Sequence, residues 1–315
     1  MRKASFARAI PRGAQCQLCD QQCVLDERQR GPCGVRLCLD GEVVSLATER
    51  LARLALRPVE SPGFFHVLPG SRTLVAAVAV DAADSPSATA TAHSHSIEDL
   101  PRLAVLGGAQ SVAFAYGEPT FAIEPLVRAL DLVRNAGLVT LVRSALTLAP
   151  AALELLARNV DAVSIELPSA SHGASETTLR NLGRLRALGV WVEVTTYLDG
   201  STSPRKGTRE LDALAKSLAA IDPCVPWHVR APSGTSAALR AVAAGERAGL
   251  ANVYVPESSD GSLEVTFCHA CRGGVLIERC FGEPRTFLTD DAACPDCGVP
   301  ALGLFASPPG AVSAS

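Results

Sequence analysis

Between Thr73 and Val255 short apolar runs alternate with stretches of helical periodicity. Strands are predicted at Thr73–Val80, Ser111–Tyr116, Leu138–Arg143, Asp161–Leu167, Val190–Leu198, Val225–Arg230 and Asn252–Val255. Helical spacing covers Phe121–Ala136, Pro150–Asn159 and Ser175–Leu188, with Gly137 and Gly189 as stop signals, and Ser96 with Asp99 has the spacing of a capping box. Strands followed regularly by helices imply parallel pairing through right-handed crossovers. A barrel, a partial barrel and a doubly wound sheet all satisfy this pattern. The first strand follows a Leu68–Ser71 turn and runs into a stretch rich in Asp, Ser, Ala, Thr and His that ends near His95.

The ends of the chain follow another pattern. Cys16, Cys19, Cys23 and Cys33 read C-x2-C-x3-C-x9-C, with Cys38 behind them and Gly31, Pro32 and Gly34 around Cys33. Close cysteine pairs separated by a turn are what a tetrahedral thiolate site needs. The alternatives, in order, are zinc, an iron–sulfur centre and unligated thiols. Asp40-Gly41 between two short apolar runs is a hairpin signal. Cys268, Cys271, Cys294 and Cys297 read C-x2-C-x22-C-x2-C with glycines after both pairs, which predicts a zinc ribbon whose four thiolates close the coordination sphere. Cys280 stands apart from both pairs. The expected domains are a cysteine-rich module with a β-hairpin at 1–60, a β/α domain at 61–262, a zinc-ribbon-like module at 263–304 and a disordered tail at 305–315.

Composition narrows the function classes. The chain has 315 residues, 48% hydrophobic, enough for one large core with small appendages. A net charge of -3 with both signs mixed gives no basic face for nucleic acid. No apolar run is long enough to span a bilayer, and the first residues lack the apolar core of a secretory signal. All eleven cysteines but Cys224 lie in the two terminal clusters, which argues for metal modules in a reducing, cytoplasmic compartment.

Ligands in β/α folds bind at the carboxyl ends of the strands. That rule places Glu118, Arg143, Glu166, His228 and Arg230 around one mouth, together with the Tyr116–Thr120 turn. The bland alternative is a rim of structural ion pairs, with Gly117 and Pro119 as turn chemistry and His228 as a satisfied hydrogen-bonding residue.

The order of motifs resembles a known family. CQLCDQQC and GPCGVR near the start, PVESPGFFHVLPGS at 58–71, AYGEPTFAIEP at 115–125, WVEVTTYLDG at 191–200, VPWHVRAPSG at 225–234, then NVYVPES, TFCHAC, VLIERCFG and CPDCG, are similar to the radical SAM protein of the AmmeMemoRadiSam system, of the pyruvate formate-lyase activating-enzyme-like type. The resemblance implies an α/β fold, a partial (β/α)6 barrel with N-terminal and C-terminal cysteine-rich metal modules. It also implies S-adenosylmethionine binding, with Tyr116, Gly117, Glu118 and Pro119 matching the segment that receives the methionine amino group, and a four-iron four-sulfur cluster held by C-x3-C-x2-C after the first barrel strand.

The chain departs from the family at that loop. Counted without gaps from Pro69-Gly70-Ser71, the three ligand positions are Asp81, Ser85 and Ala88, and no cysteine occurs anywhere in the segment. Carboxylate and hydroxyl are not equivalent to thiolate, and alanine cannot ligate. Ser144-Ala145 and Glu166-Leu167-Pro168 replace two further family motifs. The expectation is a degenerate, non-catalytic member that serves as a scaffold, regulatory or ligand-binding partner of a Memo-like or AMMECR1-like protein or of an active radical SAM paralogue. The alternatives are an active radical enzyme whose cluster is held unusually, through the N-terminal cysteines or another chain, and acid–base chemistry using Glu118, Glu166 and His228.

Overall fold

The computed structural model describes every residue except 1, 12, 81–94, 168–174, 199–203, 232–234, 257–260, 280–282 and 306–315. The described chain forms two compact units. The first comprises Met1–Arg57 and Arg72–Asp161, and the second Pro58–Ser71 and Ala162–Ser307.

The first unit opens with β1 (Arg2–Lys3), β2 (Ala7–Ile10), β3 (Gly13–Cys16), β4 (Val24–Leu25), β5 (Arg36–Leu39) and β6 (Glu42–Ser45). They form two three-stranded sheets, in the orders β1-β6-β5 and β2-β3-β4. The β5–β6 hairpin closes with Leu39 opposite Glu42. Its two turn residues, Asp40 and Gly41, have φ of 51° and 70°, the left-handed pair that suits a two-residue hairpin. Next come β7 (Ala47–Pro58), β8 (Arg72–Val80), α1 (Leu100–Leu106), β9 (Ser111–Phe114), α2 (Ile123–Asn135), β10 (Val139–Ser144) and α3 (Pro150–Ala157). In this unit the strand order is β10-β9-β8-β7. Ser111 of β9 pairs in parallel with both Thr73 and Val139. Ile123, Leu126, Leu130 and Val133 recur on α2 at three- and four-residue steps and are fully buried, the stripe that seats a helix on a sheet. The Ser96 capping box is present, with Ser96 N–H donating to Asp99 Oδ2 at 2.9 Å.

The second unit carries β11 (Ala162–Leu167), α4 (Glu176–Ala187), β12 (Trp191–Tyr197), α5 (Pro204–Ile221), β13 (Trp227–Arg230), α6 (Thr235–Ala248) and β14 (Val253–Tyr254). Its four strands lie in the order β14-β13-β12-β11 and pair in parallel, with Ser164 opposite Glu193, Thr195 opposite His228, and His228 opposite Tyr254. The unit ends in an antiparallel ribbon of β15 (Thr266–Phe267), β16 (Val275–Glu278) and β17 (Arg285–Thr286).

The protein is thus α/β, with parallel strands alternating with helices and a cysteine-rich module at each end. All seven strands expected between residues 73 and 255 are present, differing only at their ends. The predicted Ser111–Tyr116 strand stops at Phe114 because the chain turns at Gly117, φ 66°. Strand β7 was not among the expected elements, because Leu51, Leu54 and Leu56 among its arginines satisfy helical spacing as well as alternation. Among the described residues no helix is long and apolar enough to cross a membrane.

Candidate metal centre and a buried carboxylate hub

Cys268, Cys271, Cys294 and Cys297 converge, with all four Sγ atoms within 4.8 Å of one another. Cys268 and Cys297 lie 3.7 Å apart, and Cys271 and Cys294 3.9 Å. Two knuckles bring them there. In the first, Arg272 N–H donates to Cys268 O, Cys268 N–H donates to Gly274 O, and Gly274 N–H points at Cys271 Sγ at 3.4 Å. In the second, Gly298 N–H donates to Cys294 O and Cys294 N–H to Val299 O. A Cβ on Gly274 would lie 2.6 Å from Cys294 Sγ, so this position must be glycine for the two knuckles to meet. The Gly274 and Gly273 amides hold the Cys271 thiol down to about 7, towards the thiolate form a metal needs, while in the same cluster, against the Val299 amide, desolvation and hydrogen bonds with the other three thiols raise Cys297 to about 11. Cys268 and Cys294 are buried against Leu276 and Ile277, while Cys271 and Cys297 face solvent. Four soft, converging donors fit a tetrahedral thiolate-bound ion. Among the described residues no other group of three or more potential ligands is brought this close.

The N-terminal cysteines are arranged more loosely. Cys16 ends β3 and donates its N–H to Cys23 O, and Gln22 N–H donates to Cys19 O. Cys33 lies in a turn closed by Gly34 N–H to Gly31 O. Burial raises the Cys16 and Cys19 thiols, and neighbouring thiols raise them further. The knuckle is stitched to the loop after β10: Asp20 N–H donates to Thr147 O, Ala149 N–H donates to Leu18 O, and Cys19 bridges Leu148. All ten described cysteines are free, and Cys280 lies outside the described residues.

Glu118, Tyr116, Gly117 and Pro119 sit where β9 hands over to α2. The Glu118 carboxylate accepts from Thr120 N, Thr120 Oγ1, Ser144 Oγ and Ala145 N at 3.2, 2.6, 2.7 and 2.7 Å. It therefore joins this turn to the loop after β10. Gly117 is exposed, and the Arg53 guanidinium lies 4.3 Å from the centre of the Tyr116 ring. Arg143 is half-buried within β10 of the first unit, as are Glu166 and Arg230 at the ends of β11 and β13 in the second.

His228 belongs to the interior of the second unit. The strand ends at Arg230 as expected but begins at Trp227, not Val225, so His228 is the second of its four residues, and it is fully buried. Its Nε2 lies 2.7 Å from Glu193 Oε2. Glu193 is the third residue of β12, in a strand buried on both faces, and the motif reading did not single it out. Its two oxygens accept from Phe65 N (2.9 Å), His66 N (2.9 Å) and Trp191 Nε1 (3.1 Å) besides contacting His228. Burial alone raises a carboxyl pKa; here the hydrogen bond and charge of His228, the charge of His66 and the Phe65 N–H outweigh it and hold Glu193 below the usual carboxylate range. Burial pushes His66 down to about 4 and lowers His228 as well. His66 Nε2 meets Tyr254 Oη at 2.7 Å, and Tyr254 Oη reaches Thr266 Oγ1 at 2.8 Å. The sequence signal was a carboxylate inside an otherwise apolar parallel strand, WVEV, which must find partners wherever it is buried.

The four-iron cluster of the resembling family finds no donors in the matching loop. Strand β8 ends at Val80, and Asp81, Ser85 and Ala88 lie outside the described residues. The sequence holds no cysteine from residue 39 to 223, so that loop has no thiolate to offer whatever its shape.

No family model matches the chain. An uncharacterized protein of Methanocaldococcus jannaschii, MJ0808, is 22% identical over 219 residues, 63% of this chain, and the match spans 65% of that relative's length. A domain of pyruvate-formate lyase-activating enzyme from Bacteroides vulgatus overlaps 47% of this chain and 99% of its own, at 19% identity and TM-score 0.40. SuiB of Streptococcus suis, bound to its precursor peptide SuiA, overlaps 43% of this chain and 32% of its own, at 14% identity and TM-score 0.36. Deoxyribose phosphate aldolase of Aeropyrum pernix overlaps 66% and 83%, at 16% identity and TM-score 0.35.

Proposed function

We propose that the chain is a degenerate radical SAM-type protein that keeps a β/α frame and a thiolate metal centre without the chemistry of a radical cluster. The observation that carries this reading is the cysteine-free stretch from residue 39 to 223, which contains β8 and everything that follows it up to β12. A site-differentiated cluster needs three thiolates and leaves its fourth iron open to the nucleoside, and here the loop supplies none of the three. The C-terminal four-thiol centre binds zinc in this reading, because four thiolates close a tetrahedral sphere and suit a structural ion. The role that remains is that of a scaffold, regulatory or ligand-binding partner in the cytoplasm, beside a Memo-like or AMMECR1-like protein or an active paralogue. That partner assignment rests on the motif resemblance alone. If S-adenosylmethionine is retained as a ligand, its contacts at Tyr116–Pro119 are with the main chain and the Tyr116 ring, since the Glu118 carboxylate already accepts four donors.

The test is anoxic reconstitution with iron and sulfide followed by an assay for reductive cleavage of S-adenosylmethionine. We expect no cleavage and no reducible cluster signal. Turnover above that of a heat-denatured control would overturn the reading.

One observation favours a second reading. The Cys16–Cys23 knuckle is stitched to residues 147–149, just beyond the carboxyl end of β10, the end at which β/α folds bind their ligands. An iron–sulfur cluster held there would be unusually ligated but close to a ligand-binding edge. In that case Cys16→Ala with Cys19→Ala abolishes cleavage activity in protein that remains folded. The acid–base reading is the weakest of the three, because Glu118 and His228 are both engaged in structural hydrogen bonds.

A further inference from the structure

The Pro58–Ser71 segment is held from two sides within the second unit. On one side Phe65 N–H and His66 N–H donate to the Glu193 carboxylate of β12. On the other the C-terminal module grips the same residues. Leu304 N–H donates to His66 O at 2.8 Å, Leu68 N–H to Leu304 O at 2.7 Å, and His66 Nδ1 lies 2.8 Å from Leu302 O. The approach is close enough that a Cβ on Gly303, φ 153°, would lie 2.4 Å from His66 O.

Arg279 makes the second grip. It follows β16, whose Leu276 and Ile277 pack with Cys268 and Cys294 in the small core of the module. The residue is 6% exposed, and its guanidinium lies 4.3 Å from the centre of the Phe65 ring and donates to Phe65 O, to Thr266 Oγ1 at 2.9 Å and to Glu264 O at 3.1 Å. A buried guanidinium has to find acceptors and ring faces, and these are oriented only while β16 holds its place.

The fully buried core of the module is Cys268, Leu276, Ile277 and Cys294, with Leu288, Ala301 and Phe305 packed around it. A core of that size does not hold a ribbon together unaided, and four converging thiols repel once ionised unless a cation sits among them. Everything that presses on Phe65 and His66 from this side therefore depends on the knuckles.

We propose that metal occupancy of the four-thiol centre controls the Phe64–Gly70 segment: the filled centre, through Arg279 and residues 302–304, clamps the segment onto Glu193, and the emptied centre releases it. The inference rests on the metal-centre reading and adds to it a transmitted conformational change about a carboxylate outside the module. Occupancy in turn follows available zinc, which makes the segment a sensor of that ion.

The chain carries its own reporter. It has two tryptophans, and Trp191 stacks on His66 at 5.7 Å between ring centroids while its Nε1 donates to Glu193. The experiment compares the full chain loaded with zinc against the same protein stripped by a chelator. It reads metal content by elemental analysis, tryptophan emission, and hydrogen exchange of the peptide covering residues 64–70, with peptides from α2 as a control for global unfolding. On stripping we expect exchange at 64–70 to accelerate by about tenfold or more with α2 unchanged, emission to shift to the red, and both effects to reverse when zinc is restored. Arg279→Met is expected to retain its metal yet show fast exchange at 64–70 in both states. Protein that loses its zinc and keeps 64–70 protected overturns the inference while leaving the metal centre standing. Protein that never takes up metal overturns both.

Discussion

The two cysteine-rich modules look alike in sequence and differ in what holds them together. Each sends one buried arginine into the β/α body of its own unit. Arg36 on β5 reaches the Glu124 carboxylate at 2.9 Å and Phe121 O at 3.1 Å, with 2% and 7% of the two ion-paired side chains exposed. Among the described residues, Arg279 instead reaches main-chain oxygens, a threonine hydroxyl and two aromatic rings. The N-terminal module builds its own hydrogen-bonded sheets over buried Ala14, Leu25, Cys38 and Val43, and its thiols are not drawn to a point. The C-terminal module has a smaller core and a complete donor set. Cysteine spacing alone therefore does not separate a module whose thiols converge from one that its own strands organise. The amount of apolar surface each can bury does separate them.

The largest effect is expected from breaking the donor set. Cys294→Ser removes a buried sulfur donor at the centre of the C-terminal core and should lower stability by about 3–5 kcal/mol through loss of the ion. Elemental analysis and thermal denaturation check it, and Cys23→Ser, on the other side of the comparison, should cost far less. The next effect is at the ion-paired arginine. Glu124→Gln leaves Arg36 buried without its counter-charge and should cost about 3 kcal/mol in denaturant titration. It should leave the zinc content of the C-terminal centre unchanged.

Titration sharpens the comparison further, because the hub around Glu193 lies on the C-terminal side only. His66 has its folded pKa pushed from 6.5 to about 4 by burial. Between these values the unfolded chain binds the proton that the folded chain excludes. Stability should therefore fall as pH drops from about 6.5 towards 4, by at most about 3 kcal/mol. Glu193 is held below its ordinary value, so its own contribution persists to lower pH and is lost last. A denaturation series across this range, with His66→Gln flattening the slope, is the check. The smallest effect is at Glu118: Ser144→Ala removes one of four donors and should cost about 1 kcal/mol, read by denaturant midpoint.

The β/α succession was legible because buried parallel strands read as uninterrupted apolar runs and their helices carry stop signals such as Gly137 and Gly189. The convergence of the four C-terminal cysteines was legible because knuckle geometry dictates both the C-x2-C spacing and the glycines behind it. Glu193 and His66 were not recognised as a pair, since they are brought together by parallel strand packing and by a segment far from β12 in the chain, which no local spacing encodes. The strand of His228 ends at Arg230 as its sequence indicates, but its start at Trp227 was not legible, because the apolar run beginning at Val225 hides where the strand begins. Glu118 stood at the right turn, but that its carboxylate is filled by Ser144 and Ala145 depends on the adjacent strand.

What the full chain carries when it is isolated without oxygen and then offered iron, sulfide and zinc together is the most direct test of a closed thiolate centre without a radical cluster. Elemental analysis with X-ray absorption at the zinc and iron edges should find zinc in a four-sulfur sphere at about one to two per chain and no reducible iron–sulfur cluster. About four irons per chain in a reducible cluster that cleaves S-adenosylmethionine would contradict it.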